Sequence, residues 1–340
     1  MHRPLRLTCD KTALAANWRW LAEHAGAACG AAVKADGYGL GARAAVDVLA
    51  AAGCRDFFVS TWAEAAALGP LAGSLVVLHG IGPQDIATAL ASPARPCLNT
   101  PGQVARWKQA APGRACDVMV DTGMNRLGLR VDEIGCLEGL SIDTLMSHLA
   151  CADEDHALNA AQLQRFGEVA GSVDANRYSL ANSAGICLGQ DYSFDLVRPG
   201  LALYGGVPRR EAEGHIAQVA RVEAEVIQRR PIRAGESCGY GATFVAEADT
   251  EAAIVNLGYA DGYLRGFSGR GAAFAGEAAL PVLGRVSMDL IALGCDAARD
   301  LREGDWVEID YDLPTASEAS GLSQYELLTT LGSRFERRWV

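Results

Sequence analysis

The sequence predicts a two-part α/β protein in which an eight-stranded parallel (β/α)8 barrel of the TIM type precedes a mostly β domain. The length of 340 residues suits about two domains, and the content of 50% hydrophobic and 21% charged residues is ordinary globular composition. From about residue 28 to residue 204, short β-like runs alternate with segments of helical length. After about residue 213 the runs become β-branched or aromatic and are separated by Gly, Pro and Asp turns.

Eight short runs carry the prediction of the barrel. Between them lie segments of helical length rich in Ala, Leu and Glu, such as 42–52, 63–68, 102–111 and 159–169. Strands that alternate with helices form parallel sheets, and eight such strands close a barrel. The runs are 31–33, 57–60, 75–79, 95–99, 118–121, 144–148, 178–181 and 196–198.

The second domain is predicted from a change of pattern after the polar segment 208–214. Residues 10–212 are therefore assigned to the barrel, and residues 213–340, with an N-terminal strand 1–9, to the β-rich domain. The tail segment 323–331 is predicted to form a short helix that starts at Ser323, because Ser323 and Glu326 have the spacing of a capping box. The β runs are 219–227, 252–258, 279–282, 290–294 and 306–309.

Composition excludes several classes of protein. The net charge of −11, without a basic stripe, argues against nucleic-acid binding. No stretch of about 18 uncharged apolar residues is present, and the N-terminus is too polar to begin a secretory signal, so no membrane partner is expected. The ten cysteines are dispersed without a Cys-x-x-Cys motif, which indicates reduced thiols in a cytoplasmic protein and no metal site.

Lys34 is the most informative single residue. It ends a small apolar run and precedes a glycine-rich turn, where an amine is poorly placed for solvation. A lysine that is buried or near another cation loses pKa and can form a Schiff base with an aldehyde. The alternative is a lysine that snorkels from a strand end. Polar residues also follow other predicted strands, where barrel active sites lie: His79, Asp121, His148, Asn182 and Arg198.

Six motifs resemble, in the same order, those of the alanine racemases, a family of two-domain pyridoxal phosphate enzymes built on an α/β barrel. The resemblance runs from near residue 5 to residue 339 and covers both predicted domains. The motifs are AVKADGYG at 32–39, DTGMNRLG at 121–128, NSA at 182–184, VRPGLALYG at 197–205, GYADGY at 258–263 and GRVSMD at 284–289.

The resemblance implies a pyridoxal 5'-phosphate-dependent isomerase that interconverts L-alanine and D-alanine and supplies D-alanine for peptidoglycan. Lys34 is implied to carry the cofactor as an aldimine and, once freed, to act on the D-isomer. Tyr259 is implied to remove the α-proton of the L-isomer. A tyrosine with a pKa of ~10 is a poor base at neutral pH unless a nearby cation lowers that pKa.

Three further side chains are implied to tune this chemistry. Arg198 would face the pyridine nitrogen and leave it unprotonated, which favours return of the proton to Cα. His148 would link Tyr259 and Arg198 through hydrogen bonds. Arg126 would hold the cofactor's phenolate oxygen and the substrate carboxylate, a task suited to a planar fork of donors.

The resemblance also implies a phosphate site and a shared active site. The phosphate would be held by the backbone of Gly200 and Leu201 and by the hydroxyls of Ser183, Tyr38 and Tyr325.

On the substrate side, Met288 would offer its backbone N–H to the carboxylate and Tyr263 would narrow the entrance. Tyr259, Tyr263 and Met288 would reach the site from the partner subunit, so a head-to-tail homodimer with shared active sites is expected.

One position departs from the family. Many members carry, seven residues before the arginine of the DTGM motif, a lysine whose carbamate orients that arginine. Met119 occupies this position, so no carbamate can form. Arg126 then requires another anionic partner, either a neighbouring polar side chain or a bound anion such as chloride.

Four alternatives share part of this pattern. A serine or broad-specificity racemase of the same family would share nearly every motif. A decarboxylase of the same fold would need a Cys-Asp signature that is not found, and a protonated ring nitrogen that Arg198 disfavours. A non-catalytic cofactor carrier would lack the residues after Pro208. A barrel enzyme without a cofactor is the last alternative.

Overall fold

The structure, a computed structural model, describes residues 2–340 of the chain. They divide into two compact units. The α/β unit comprises Leu14–Tyr38 and Ala42–Ala217. The β unit comprises the described residues up to Ala13, Gly39–Gly41 and Gln218–Val340.

The N-terminal strand β1 (Leu5–Cys9) belongs to the β unit. Leu5, Leu7 and Cys9 are buried, and the two residues between them are partly exposed. This period of two gives the strand one face for a hydrophobic core and one face toward solvent.

The α/β unit is built on parallel strands. Seven of them, β3 to β9, form one sheet in chain order, and β10 pairs with β2. Each of the eight predicted runs overlaps a strand, which confirms the α/β class and the parallel arrangement. The strands are β2 (Ala28–Cys29), β3 (Ala31–Ala32), β4 (Asp56–Val59), β5 (Ser74–Val77), β6 (Arg95–Leu98), β7 (Cys116–Met119), β8 (Ile142–Met146), β9 (Arg177–Ser179) and β10 (Leu196–Val197).

The regular ladder thus has seven strands where eight were expected. The last run differs because the two residues of β10 form their ladder with β2 and not with β9. Single backbone hydrogen bonds still join the two segments: the N–H of Asp195 donates to the carbonyl of Tyr178 at 3.0 Å, and that of Arg198 donates to Ala181 at 2.9 Å.

The helices of the α/β unit follow its strands, as predicted. The predicted helix at 42–52 has these bounds in the structure, and the others begin within two residues of the prediction. Two of them start at threonines, Thr61 and Thr100, whose hydroxyls cap the first turn. The chain from residue 11 to residue 187 forms Lys11–Ala25, Ala42–Ala52, Trp62–Leu68, Ile86–Ala91, Pro101–Ala110, Ala157–Ala170 and Ser183–Cys187.

The β unit is antiparallel except where β1 pairs with the last strand in parallel. Its sheet has the order β14-β17-β16-β15-β18-β11-β1-β19, and β11 also pairs with β14, so the sheet closes on itself. The mostly β second part is confirmed. Its strands are β11 (Ala220–Ile232), β12 (Ser237–Cys238), β13 (Phe244–Val245), β14 (Thr250–Val255), β15 (Ala272–Ala275), β16 (Ala278–Leu283), β17 (Ile291–Gly294), β18 (Trp306–Ile309) and β19 (Glu336–Trp339).

Two helices complete the β unit, Leu313–Ser320 and Gln324–Thr329. The second begins at Ser323, whose hydroxyl accepts from the N–H of Glu326 while the Glu326 carboxylate accepts from the N–H of Ser323. The predicted capping box is confirmed. No helix within residues 2–340 is long and apolar enough to cross a membrane.

Candidate active site

Lys34 lies two residues after the end of β3 and opens a left-handed turn. The next four residues, 35–38, have φ between 52° and 62°, and only one of them is glycine. The left-handed region costs a residue with a Cβ roughly 1–2 kcal/mol, so such a turn persists only when its surroundings hold it. One restraint is internal, since the Asp36 carboxylate accepts from the N–H of Ala42 at 2.8 Å.

Glu64 supplies the second restraint. Its Oε1 accepts from the N–H of Ala35 at 2.8 Å, and its Oε2 accepts from the N–H groups of Ser60 at 2.6 Å and Thr61 at 3.1 Å. One carboxylate therefore ties the start of a helix to the turn after Lys34. Glu64 lies outside the predicted motifs, and the Thr61–Glu64 spacing of a capping box is the signal in the sequence that points to it.

The electrostatic surroundings of Lys34 suit a nucleophilic amine. Burial lowers the pKa of its ammonium group, the positive charges of Arg126 and Arg198 lower it further, and the Glu64 carboxylate opposes them. A lowered pKa increases the fraction of neutral amine at neutral pH, and the neutral amine is the form that attacks an aldehyde.

The guanidinium of Arg198 is held in one orientation. Its side chain is buried, and Nη1 donates to the carbonyl and hydroxyl oxygens of Ser179 at 3.1 and 2.6 Å. Nη2 donates to the carbonyl of Ser147 at 2.5 Å. Burial lowers the pKa of Arg198 to about 10, so the group stays protonated at neutral pH.

His148 is partly buried beside these cations. Burial lowers the pKa of its imidazole to about 3, and the charges of Arg198, Arg126 and Lys34 act in the same direction. The imidazole is therefore neutral at neutral pH, with one nitrogen able to donate and the other able to accept. Lys34, Arg126 and Arg198 thus lie close enough to one another and to His148 for their positive charges to affect its protonation.

The segment after β10 gathers backbone donors and hydroxyl groups. The N–H groups of Gly200 and Ala202 donate to the Ser183 hydroxyl at 2.9 and 3.2 Å. A Cβ on Gly200 would lie 2.0 Å from the Tyr38 hydroxyl oxygen, so a larger residue does not fit there. The Tyr38 ring is held by stacking on Tyr204, with centroids 4.8 Å apart.

This donor set fits a phosphate group. Backbone N–H groups and hydroxyls at the end of a barrel strand form a recurrent phosphate site, and the buried Leu201 continues the same segment. Together with an amine of lowered pKa, these residues fit a phosphorylated aldehyde, the chemical class of pyridoxal phosphate.

Arg126 is exposed in a loop shaped by one carboxylate. Asp121 accepts from the N–H groups of Gly123 at 2.8 Å, Met124 at 2.9 Å and Arg126 at 3.1 Å. Met119 is buried in an apolar cluster formed by strands β4 to β8 and β10. Asp121 thus holds the backbone of Arg126, and a separate anionic partner for its guanidinium stays a prediction.

In the β unit, backbone hydrogen bonds place Tyr259 beside the segment that contains Met288. The N–H of Tyr259 donates to the carbonyl of Ser287, and that of Ala260 donates to Met288, both at 3.0 Å. The Met288 side chain is 53% exposed. The guanidinium carbon of Arg265 lies 5.6 Å from the centre of the Tyr259 ring, which supplies a cation near this phenol.

Tyr263 and Tyr325 have contrasting surroundings. Tyr263 is 1% exposed and stacks on Phe267 with ring centroids 4.1 Å apart, so its ring belongs to the core of the β unit. Burial raises the pKa of its phenol. Tyr325 is exposed on the helix Gln324–Thr329. The entrance role of Tyr263 and the phosphate role of Tyr325 stay predictions.

Two family models match the chain: "Alanine racemase, N-terminal domain" over residues 9–208 and "Alanine racemase, C-terminal domain" over residues 219–339. The chain belongs to the alanine racemase family. The resemblance found in the sequence is confirmed. Alanine racemase from Dinoroseobacter shibae is 41% identical over 98% of this chain and 97% of its own. A catabolic alanine racemase from Agrobacterium fabrum is 41% identical over 98% of this chain and 92% of its own.

Solved structures of the family have the same fold. Alanine racemase from Bartonella henselae, with covalently bound pyridoxal phosphate, has a TM-score of 0.92 at 35% identity, with both chains fully covered. The biosynthetic alanine racemase from Pseudomonas aeruginosa has a TM-score of 0.89 at 30% identity, again with both chains fully covered.

Proposed function

We propose that this chain is an alanine racemase, a pyridoxal phosphate-dependent isomerase that interconverts L-alanine and D-alanine. The observation that carries the proposal is the lowered pKa of Lys34, which occupies the position of the family's cofactor lysine. Burial and the charge of Arg126 lower this pKa. Similarity to alanine racemases along 98% of the chain supports the same substrate. The serine alternative has no observation in its favour.

The cofactor site is formed by residues of the α/β unit. Pyridoxal phosphate, when bound, withdraws electrons from Cα of an attached amino acid and makes its α-proton acidic. Lys34 would bind the aldehyde carbon, and Arg198 would face the ring nitrogen. Because Arg198 keeps its proton at neutral pH, it does not protonate that nitrogen.

The phosphate would be held by the backbone N–H groups of Gly200 and Leu201 and by nearby hydroxyls. The Ser183 hydroxyl already lies 2.9 Å from the Gly200 nitrogen. Tyr38 fills the space that a side chain at residue 200 would need. Tyr325 is proposed as the third hydroxyl.

Two groups would move the α-proton. For L-alanine, the phenol oxygen of Tyr259 would accept the α-proton and the Nζ of Lys34 would donate a proton to the opposite face of Cα; for D-alanine the two roles would reverse. His148, neutral at neutral pH, would link Tyr259 to Arg198. The guanidinium of Arg126 and the N–H of Met288 would hold the substrate carboxylate. This would fix Cα between Tyr259 and Lys34.

We also propose that the parallel strands close into an eight-stranded barrel that forms the cofactor-binding domain, residues 10–212. Backbone hydrogen bonds on both sides of β10 support closure: the Arg198 N–H donates to Ala181, and the Gly30 N–H donates to Val197, both at 2.9 Å. Residues 213–340 with strand 1–9 would form the second domain.

The functional assembly is proposed to be a head-to-tail homodimer in which Tyr259, Tyr263 and Met288 serve the partner's Lys34. The exposed Met288 side chain supports a protein contact near this motif. The ten free cysteines support a reducing cytoplasm as the site of action, where D-alanine would be made for peptidoglycan.

A chiral assay tests the function. Purified protein loaded with pyridoxal phosphate is incubated with L-alanine, and D-alanine is followed by chiral chromatography, with L-serine in a parallel reaction and the Lys34→Ala variant as a blank. D-alanine formed much faster than D-serine is expected. Bound cofactor with D-serine as the faster product would replace alanine by serine, and no racemisation of either amino acid would overturn the proposal.

A further inference from the structure

Arg334 contacts two loops of the β unit at once. The Tyr259 loop, residues 258–263, and the Met288 loop, residues 284–290, carry the predicted base and the predicted carboxylate donor. Arg334 forms ion pairs with one aspartate from each loop, Asp261 and Asp289.

The contact with Asp261 is a two-bond fork. Arg334 Nε donates to Oδ1 at 2.5 Å, and Nη2 donates to Oδ2 at 2.6 Å. Asp261 is fully buried, and its Oδ2 also accepts from the N–H of Gly258 at 3.0 Å. A buried carboxylate needs such partners, and a planar bidentate pair fixes direction as well as charge. Asp261 thus ties the first residue of the Tyr259 loop to Arg334.

The contact with Asp289 connects the second loop. Arg334 Nη1 donates to its Oδ1 at 2.7 Å, and Asp289 directly follows Met288. The loops are packed without spare room, because a Cβ on Gly258 would lie 2.3 Å from the Met288 carbonyl oxygen. Backbone hydrogen bonds set the register of the loops, and Arg334 adds side-chain bonds to one aspartate of each loop.

We propose that Arg334 is a positioning residue for racemisation, which holds the Tyr259 loop and the Met288 loop in one fixed relation. This rests on the proposed function of Tyr259 and Met288. The guanidinium touches neither reacting atom; it acts through two aspartates on the two groups that approach the substrate. A displacement of about 1 Å at such groups lowers a rate by about 100-fold, so loss of Arg334 affects proton transfer at the Tyr259 face.

The test uses matched variants of the full-length holoenzyme. Arg334→Met removes both contacts, and Asp289→Ala removes only the contact with the Met288 loop. Arg338→Met is the control, because Arg338 has similar exposure, 46% against 41%, and pairs only locally with Glu336 at 2.7 Å. The Arg334 variant is expected to lose 10- to 100-fold in kcat, by the same displacement argument. The Asp289 variant should mainly raise KM, and the control should match the unsubstituted protein.

An isotope measurement separates positioning from a general loss of structure. In D2O, Lys34 can remove the α-proton of D-alanine and return deuterium to the same face of Cα. This exchange without conversion becomes more frequent when Tyr259 fails to act on the opposite face of Cα. For Arg334→Met, proton NMR should show D-alanine exchanging its α-proton faster than it converts to L-alanine. L-alanine should show no such excess, since its proton must leave through Tyr259. An equal ratio of exchange to conversion from both enantiomers would overturn the proposal.

Amide hydrogen exchange of the cofactor-free protein gives a second readout that does not depend on activity. Faster exchange confined to 258–263 and 284–290 in Arg334→Met, with 306–309 unchanged, is expected. Unchanged exchange in both loops would contradict the proposed restraint. If the unsubstituted protein racemises no alanine, the proposed function fails and the positioning role falls with it, whereas the exchange result still reports the restraint itself.

Discussion

The groups around Lys34 act in opposite directions on the pKa of its amine. Burial and Arg126 favour the neutral form, and Glu64 favours the charged form. Glu64 also accepts three backbone N–H groups, one of them from the residue next to Lys34. Glu64 thus helps to set both the position and the pKa of the Lys34 amine. The motif around Lys34 did not indicate this role, because the hydrogen bonds of Glu64 are to backbone atoms.

The variant Glu64→Gln should lower the pKa of Lys34 further, because it removes the charge that raises it. An amide has one acceptor oxygen where the carboxylate has two, so at least one of the three N–H bonds is lost, at about 1 kcal/mol of unfolding free energy. The pH dependence of Lys34 modification by trinitrobenzenesulfonate in cofactor-free protein measures the pKa, with Lys34→Ala as the blank. Glu326→Gln, which weakens a similar capping box in the β unit, is the control and should leave the Lys34 profile unchanged.

His148 makes stability depend on pH. The folded protein protonates it only near pH 3, whereas an unfolded histidine titrates near 6.5. Between these values the unfolded chain binds more protons, so this contribution to stability is present above pH 6.5 and is lost as the pH falls. The slope is at most about 1.4 kcal/mol per pH unit.

His148→Gln should therefore flatten the profile of unfolding free energy between pH 6.5 and pH 4. Urea unfolding at several pH values measures it, as the difference between variant and unsubstituted protein. The variant must be compared with the unsubstituted protein because Asp117 changes stability in the same pH range. Burial raises the pKa of Asp117 to about 6, so its contribution to stability is lost as the pH rises through 6. Parallel profiles for the two proteins would refute the assignment to His148.

At the scale of elements, the parallel strands were predictable because both faces of such strands are buried and their runs are apolar throughout. β19 was missed because its sequence, Glu-Arg-Arg-Trp, lacks an apolar pattern and its partner β1 lies at the other end of the chain. β15 was missed because alanine carries little β propensity. Such segments become strands because they pair with other strands in the folded sheet, and not because of their local sequence.

The turn after Lys34 was predicted as glycine-rich but not as left-handed. Three of its four residues carry a Cβ, and local propensity opposes that conformation. The restraints come from Asp36 and from Glu64 on another element. The positions of Lys34, Arg198 and Gly200 at strand ends were predictable, whereas the contacts that orient them depend on residues with no motif of their own, such as Ser147 and Ser179.

Ala35→Gly should raise the free energy of unfolding by about 1 kcal/mol, because glycine adopts a φ of 52° without the steric cost that alanine has. Thermal or urea unfolding measures the change. Ala66→Gly, at an exposed position inside the helix Trp62–Leu68, is the matched control and should lower stability by a similar amount. A loss of stability in both variants would show that the left-handed turn carries no strain.

At the scale of the whole molecule, the α/β unit holds Lys34, Arg126, His148 and Arg198, and the β unit holds Tyr259 and Met288. The family resemblance predicts that these two sets meet between subunits. The sequence could indicate this only through the family, since no single-chain pattern states which copy supplies a residue.

Racemase activity should therefore follow the dimer. Dilution through the dissociation range, with size measured by gel filtration or mass photometry under the same conditions, should show specific activity falling with the dimer fraction. Mixing Lys34→Ala chains with Tyr259→Phe chains should restore about a quarter of the sites in the mixture, since only one of the two sites in a mixed dimer is complete. Full activity in the monomer peak would rule out shared sites.

The pairing of β1 with both β11 and β19 has a consequence for synthesis. β1 leaves the ribosome long before β11 and β19 have been synthesised. Its apolar face therefore stays exposed while the α/β unit is being made. The α/β unit can take its shape during translation, whereas the β sheet is completed only when the far end of the chain emerges. Folding of the two units is thus ordered in time, and the interval in which β1 is unpaired is when a nascent chain is most exposed to aggregation and to chaperones.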